Sequence, residues 1–381
     1  MNKKNIFFLF VLLFCTSQCL FAQDQKKLEQ LIKKSNSEMY DNPEKVITIG
    51  INILQQAKNN IDLKIKAYKL ISDGYSSKRD YQKSLNYLIK AIKLLPKSDD
   101  KLLNISIDTK AGIQYHQLNI YQSAIVYLDR AEKMSLEYPV RDSVSTFLGV
   151  NYIVRGFIYK EKLNCDIAIS FFDKGIKELM SNNKTNENLA KISIAKYNKG
   201  NCYLMSEQNK LAEQSFKESL RFAQKANAKS LVAFAQKGIA QFYTLNGSYT
   251  EAIAELNKSY AIAKNVNDLV LNKEIYKGLS ENYLAINKPE KYKEYQQKLI
   301  QTESKLKENE CASVENLLLE NSRNLERKAS KELSNFWIQI LIYVAISTSV
   351  VLLFLVSKMN KNIRDLKDKI SKINSNFDTN N

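Results

Sequence analysis

Apolar residues recur at helical spacing along most of the chain, and short polar segments separate the runs. The stretch "ISDGYSSKRDYQKSLNYLIKAIKLLP" at residues 71–96 shows this pattern after a polar turn. Its apolar positions are Leu85, Leu88, Ile89, Ile92 and Leu95. Spacings of three and four residues place them on one face of an amphipathic helix, which we expect to end near Pro96. Ten glycines and four prolines among 381 residues favour long helices joined by short loops.

The same pattern returns further along the chain. Stretches that begin at residues 111, 155, 199 and 239 align with residues 71–91, and each carries a tyrosine at the same place. The aligned tyrosines are Tyr75, Tyr115, Tyr159, Tyr203 and Tyr243, and a degenerate sixth copy adds Tyr283. The steps between them are 40, 44, 44, 40 and 40 residues. A repeat of this length predicts an array of helix pairs, each covering the apolar face of the next.

Small residues at fixed places give each copy a resemblance to the tetratricopeptide repeat. Three residues before the tyrosine stand Ser72, Gly112, Gly156, Gly200, Ala240 and Ser280. Nine residues after it stand Ser84, Ala124, Ala168, Ala212 and Ala252, followed four residues later by Leu88, Leu128, Phe172, Phe216 and Leu256. The resemblance implies an all-α solenoid of helix pairs that binds a protein or peptide in its concave groove. Since the family repeats about every 34 residues, we expect longer helices or loops here.

The resemblance also implies which side chains line that groove. They are His116, Gln117, Phe157, Lys160, Tyr197, Asn201, Lys237, Gln241 and Lys277. This mixture of amides, cations and aromatic rings can hold an extended peptide or a partner helix. We take His116, Lys160, Tyr197, Asn201, Lys237 and Gln241 as the candidate partner-binding residues; the alternative is that most of them are merely solvated. The repeated tyrosines are expected to pack in the core.

Two apolar segments near the ends of the chain predict a membrane protein. Residues 1–22 carry Lys3 and Lys4, an apolar run, and Ala22 before a polar sequence, which is typical of a cleaved signal peptide. Residues 336–357 carry no charge and would reach roughly 33 Å as a helix, enough to span the hydrocarbon core. The signal peptide predicts residues 23–335 in the periplasm and a basic cytoplasmic tail after a single pass of the cytoplasmic membrane.

The chain is therefore expected to fall into six segments. They are the signal peptide (1–22), an N-terminal helical cap or partial repeat (23–64), an array of about six repeats (65–300), a long juxtamembrane helix with imperfect coiled-coil heptads (301–335), a transmembrane helix (336–357) and a short basic tail (358–381). This layout resembles the input half of bacterial membrane-anchored repeat sensors. The tail is too short for their kinase or helix-turn-helix output domain, so we expect that this domain was lost or that a separate cytoplasmic protein supplies the output.

The tail carries a short heptad pattern of its own. Ile363, Leu366, Ile370, Ile373 and Phe377 are spaced by 3, 4, 3 and 4 residues. Such a seam predicts a parallel homodimer with Ile363, Leu366, Ile370 and Ile373 at its interface. The alternative is an amphipathic helix that lies on the inner leaflet, with its lysines on anionic headgroups.

Little in the composition points to catalysis or to nucleic acid. The formal charge is +17, but the basic residues are spread along the chain rather than clustered, so we expect no nucleic-acid partner. A single histidine excludes a Ser/His or multi-histidine metal site within one chain, and no phosphate-binding glycine motif is present. The sequence predicts a non-catalytic adaptor or sensor without cofactor or metal; the alternative is a constitutive scaffold or assembly factor for a cell-envelope complex.

Three cysteines remain after removal of the signal peptide, and their odd number does not indicate a disulfide framework. Cys165 and Cys202 fall at inward-leaning positions of the repeats, where buried thiols are expected. Cys311 lies in the helix before the membrane, where it could crosslink two copies of the chain.

Overall fold

The structure is a computed structural model that describes residues 27–35, 42–181, 185–264 and 268–378. In the last helix the side chains are described up to residue 308 and again at 330, 333–364, 366 and 367. The described chain consists of α-helices, one short 3₁₀ turn and connecting turns, so the all-α expectation is confirmed. The predicted signal peptide lies outside the described residues.

Helices α1 (residues 27–35) and α2 (Pro43–Gln56) precede a series of antiparallel pairs. The pairs are α3 (Ile61–Ser77) with α4 (Tyr81–Ile92), α5 (Lys101–Gln117) with α6 (Tyr121–Leu136), α7 (Arg141–Glu161) with α8 (Cys165–Ser181), α9 (Asn186–Met205) with α10 (Asn209–Lys225), α11 (Lys229–Leu245) with α12 (Tyr249–Ala263), and α13 (Leu269–Ala285) with the start of α14 (Pro289–Asp378). The two steps of 44 residues are accommodated by long first helices, with 21 residues in α7 and 20 in α9.

The turn between paired helices repeats the same hydrogen bond. In each such turn that the structure describes, the carbonyl of the repeated tyrosine accepts a bond from the backbone amide five residues later, at 2.8–3.0 Å. The residue before that amide has a left-handed backbone, as in a Schellman helix end. These residues are Arg79, Asn119, Leu163, Glu207, Gly247 and Asn287. The repeated tyrosine thus marks the end of each first helix.

The side chain of the repeated tyrosine packs against the second helix of its pair. Parallel aromatic rings stack at 5.3–5.6 Å between centroids. The stacked pairs are Tyr75 with Tyr87, Tyr115 with Tyr127, Tyr159 with Phe171, and Tyr283 with Tyr295. These contacts fit the expected packing role, because stacked rings bury a large apolar area.

The small residues lie where two helices cross. Phe216 of α10 is fully buried between α9 and α11, and a Cβ atom added at Gly200 or Gly238 would lie 2.5 Å from its ring. In the third pair, a Cβ at Gly156 would meet Phe172 at the same distance. Where leucine replaces phenylalanine on the second helix, as at Leu88 and Leu256, the facing positions hold Ser72 and Ala240. Leucine also faces glycine in the second pair, where a Cβ at Gly112 would lie 2.5 Å from Leu128, so close packing at the helix crossing, and not ring size alone, accounts for the small residue.

A second compact unit begins at Glu310. Within it, Leu333–Arg364 is a helical stretch of 32 residues that contains an 18-residue window with a mean hydropathy of 2.5, long and apolar enough to cross a membrane by length and composition. Its apolar side chains are exposed, among them Trp337, Tyr343 and Leu353. In the tail, Ile363 and Leu366 are also exposed. The side chains of Cys311, Ile370 and Ile373 lie outside those described.

Candidate partner-binding groove

The first helices of successive pairs pack against one another and form a continuous inner face. Helix α3 contacts α5, α5 contacts α7, α7 contacts α9, α9 contacts α11, and α11 contacts α13. The six candidate residues all lie on these helices: His116 on α5, Lys160 on α7, Tyr197 and Asn201 on α9, and Lys237 and Gln241 on α11. Gln241 is exposed and the other five are partly buried.

Two of the candidate lysines bridge neighbouring repeats. The ammonium group of Lys160 donates a hydrogen bond to Oδ1 of Asn198 on α9, at 2.7 Å. Lys237 donates to the hydroxyl of Tyr197 at 3.3 Å and forms an ion pair with Glu274 of α13 at 3.5 Å. These cations therefore tie α7 to α9 and α9 to α13 through α11, so a ligand would meet side chains that are already held in place.

Two pairs of aromatic rings lie along this row of helices, His116 with Phe157 and Tyr197 with Phe234, and we call these four residues the aromatic strip. The His116 and Phe157 rings lie 5.7 Å apart, and those of Tyr197 and Phe234 lie 5.9 Å apart. Burial lowers the pKa of the His116 imidazole, with Glu161 opposing that shift and Lys160 adding to it. The shift favours the neutral form of the imidazole near pH 7.

Comparison with known proteins identifies this arrangement. No family model matches the sequence, and no curated protein matches it. A signal-transduction ATPase of the STAND class with a tetratricopeptide repeat sensor, from Pyrococcus horikoshii, is similar in structure with a TM-score of 0.56 and 16% identity, over 72% of this chain and 40% of its own. The apo form of RapI is similar with a TM-score of 0.55 and 15% identity, over 73% of this chain and 77% of its own. A Rap protein complexed with competence and sporulation factor is similar with a TM-score of 0.55 and 12% identity, over 74% of this chain and 78% of its own.

The chain folds as a tetratricopeptide-repeat solenoid. At these identities the likeness concerns the fold alone. It agrees with the resemblance in the small residues and tyrosines.

Sequence reasoning missed a charged cluster at the N-terminal end of the tetratricopeptide array. The carboxylate of Asp73 on α3 lies 2.7 Å from the ammonium groups of both Lys69 and Lys110, the latter on α5. Burial alone would raise the pKa of Asp73, but Lys110 and Lys69 outweigh it and lower the pKa to about 2. Asp73 follows Ser72 as Asn201 follows Gly200, so the repeat register would have placed it on the inner face.

Three amides of α5, those of Asn104, Gln114 and Gln117, present acceptors without partners among the described residues, and the last two are close to His116 in the sequence. Oε1 of Gln114 and Oε1 of Gln117 are buried and accept no hydrogen bond there. The amide nitrogen of Gln114 is bound, since it donates to the hydroxyl of Ser76 at 3.1 Å. Buried acceptors of this kind usually find a donor; Gln114 is 0% exposed, whereas Gln117 is only partly buried and lies nearer the surface.

The face offers binding groups rather than reactive ones. Among the described residues no three histidine, cysteine or acidic side chains are grouped to hold a metal ion. Its one imidazole faces the rings of Tyr121 and Phe157 at 6.0 and 5.7 Å. The arrangement can therefore hold a partner through amides, a hydroxyl, cations and aromatic rings.

Proposed function

We propose that the tetratricopeptide array binds an extended peptide or an extended segment of a protein, and that the chain acts as a non-catalytic, membrane-anchored adaptor or sensor. The observation that carries the proposal is the aromatic strip, with amides beside it on consecutive first helices. Rings accept apolar side chains, and amides can both donate to and accept from an extended backbone.

The placement of the amides supports an extended ligand. Asn201 and Gln241 occupy the same place in two successive repeats, 40 residues apart. A ligand that crosses α9 and α11 would therefore meet two equivalent amides in turn. The complex of a Rap protein with competence and sporulation factor and the tetratricopeptide sensor of the STAND ATPase support a binding or sensing role by analogy of fold.

The second unit supports membrane anchoring. The apolar stretch Leu333–Arg364 would cross the bilayer once, the predicted signal peptide would place the array in the periplasm, and the basic tail would lie in the cytoplasm. A sensor of this layout would act through a tail homodimer or through a separate cytoplasmic output protein. The alternative remains a constitutive scaffold for an envelope complex.

Photo-crosslinking in cells tests the binding site. A benzophenone amino acid at position 241 or 201 should capture a partner, whereas the same probe at Lys217, which is exposed on α10, should not. Equal capture at all three positions, or capture at position 217 alone, would reject the groove. A partner that appears only under certain growth conditions would favour the sensor, and a constant partner the scaffold.

Removal of the two amides provides the matching loss of function. The double variant Asn201→Ala and Gln241→Ala should weaken partner capture from a probe at position 277, which is exposed on α13, with helicity and thermal midpoint unchanged. These two positions are preferable to Lys160, because its substitution would also break the bond to Asn198. Unchanged capture would show that the amides do not contact the ligand.

Reporter fusions test the placement. An enzyme that is active only outside the cytoplasm should work when fused after residue 320 and fail when fused after residue 381. The opposite result would reverse the proposed topology.

A further inference from the structure

Two cysteines meet between the third and fourth helix pairs. Cys165 is the first residue of α8, and Cys202 lies in the last turns of α9. Both belong to one apolar cluster with Phe172 and Ile192, and they are 9% and 0% exposed. The Sγ atom of Cys165 lies 3.9 Å from Sδ of Met205, which stands one helical turn beyond Cys202 on α9. Three sulfur atoms thus gather at one junction between repeats.

The Cys165 and Cys202 side chains pack in the same apolar cluster, with Met205 of α9 against the Cys165 sulfur. Burial raises the pKa of the Cys202 thiol, and a hydrogen bond with the Cys165 thiol raises it further. Both side chains are free thiols in the structure. Cysteine occurs at neither place in the other repeats: Tyr81, Tyr121 and Tyr249 are among the equivalents of Cys165, and Ile158 and Phe242 are among those of Cys202, so packing in the array does not require two thiols at one junction.

We propose that Cys165 and Cys202 are a redox-active pair that closes to a disulfide joining α8 to α9. The oxidant is a disulfide, either of a small thiol or of an oxidised dithiol oxidoreductase. This pair is a covalent modification site separate from the groove, and it does not depend on a bound ligand.

The reaction proceeds by two thiol–disulfide exchanges. Cys165 is the more exposed of the two and attacks one sulfur of the oxidant as a thiolate, releasing the first thiol. The thiolate of Cys202 then attacks the Cys165 sulfur of the mixed disulfide and releases the second thiol. In sum the pair loses two protons and two electrons, and the oxidant's S–S bond is reduced to two thiols. The attack by Cys202 occurs within the junction, so solvent access is needed only at Cys165.

The bond would fix the third pair against the fourth. Cys202 directly follows the groove residue Asn201, and Lys160 of α7 acts electrostatically on Cys202. A covalent link between α8 and α9 would therefore hold the step between α7 and α9 in one arrangement. This consequence rests on the proposed function, whereas the disulfide itself does not.

Intact mass measurement of the full chain tests the pair. The chain would carry Cys15→Ser, Cys19→Ser and Cys311→Ser, so that only Cys165 and Cys202 remain, and would be incubated in detergent with oxidised glutathione. We expect the loss of two hydrogen masses without a lasting glutathione adduct, reversal by a reducing agent, and a peptide in which residues 165 and 202 are linked.

Single substitutions supply matched controls. With Cys202→Ser, Cys165 should keep one glutathione because no second thiol can release it. With Cys165→Ser, Cys202 should stay unmodified because it is fully buried. Cys202→Ala and Cys165→Ala serve the same purpose if serine disturbs the apolar junction, and circular dichroism checks that each variant remains folded.

Two outcomes would overturn the proposal: thiols that remain reduced in the folded chain, or two glutathione adducts on one molecule. The effect on the groove is judged separately, by partner capture at position 241 in the oxidised and reduced chain. Equal capture in the two forms would contradict the proposed effect on the groove, but it would not contradict formation of the disulfide.

Discussion

Large apolar side chains are buried in the array but exposed in the second unit. In the array, Phe172 and Phe216 are 0% exposed because a neighbouring helix covers each ring. In the helical stretch Leu333–Arg364, Tyr343 is 72% and Leu353 is 70% exposed. The array alternates apolar and polar positions at helical spacing, whereas the second unit has a continuous apolar run. The first pattern is satisfied by other helices of the chain, and the second has the length and composition of a helix that can cross a membrane.

The largest expected effect follows from removing the second unit. Deletion of residues 310–381 should move the protein from the membrane fraction to the soluble fraction, because each Leu, Ile, Val or Phe near the middle of a spanning helix favours insertion by about 0.3–0.6 kcal/mol. Fractionation and circular dichroism of the truncated chain are the measurements. A truncated chain that stays with the membrane would mean that the array itself binds lipid or a membrane protein.

The next effect concerns burial within the array. Phe216→Ala should lower the free energy of unfolding by about 3–5 kcal/mol, because the ring fills the space between Gly200 and Gly238. Chemical denaturation is the measurement. Phe354→Ala in the second unit is the matched control, since that ring is 67% exposed and should leave the unfolding of the array unchanged. Equal losses from both variants would contradict the contrast between the two units.

The sequence could predict the fold because the decisive contacts recur at fixed places. The step between small residue and tyrosine locates each helix crossing, and Gly156 and Gly200 do lie against phenylalanine rings. The bridges on the inner face were not predictable in this way. Lys160 and Asn198 are 38 residues apart, and their contact depends on rotamers and on the rotation between repeats. Neither quantity is contained in the period of the sequence.

The repeat pattern alone also does not show whether a charged residue is buried or exposed. Acidic residues among lysines usually belong to a solvated helix face, and Asp73 fits that description in the sequence. The structure places it between Lys69 and Lys110 with its side chain 14% exposed. The partner on the neighbouring repeat, 37 residues later, is the signal that could have revealed it.

Acid should therefore weaken the array through Asp73. Because its pKa falls from 3.8 to about 2 on folding, its contribution of about 2 kcal/mol is fully present above pH 4 and is lost as the pH falls towards 2. Asp73→Asn should destabilise the truncated array at pH 6, and the difference from the parent should shrink near pH 2.5. Denaturant unfolding at the two pH values is the measurement.

A matched substitution separates this effect from general charge loss. Glu213 pairs with Lys217 on the exposed side of α10, at 2.6 Å. Because solvent screens such surface pairs, Glu213→Gln should change stability little at either pH. A similar pH-dependent loss for both variants would show that net charge, rather than the buried cluster, controls acid stability.

The smallest expected effect lies in the turns that join paired helices. Leu163 has a φ of 57° and is 77% exposed, whereas Gly247 has the equivalent place with a φ of 74°. A left-handed backbone costs an L-residue about 1–2 kcal/mol, and glycine avoids that cost but loses more entropy on folding. Leu163→Gly should therefore stabilise the array by about 1 kcal/mol or less, and Gly247→Leu should destabilise it by about the same amount. Thermal unfolding of the truncated array measures both. If the two substitutions shift the thermal midpoint in the same direction, the cost of the left-handed backbone does not determine stability at these positions.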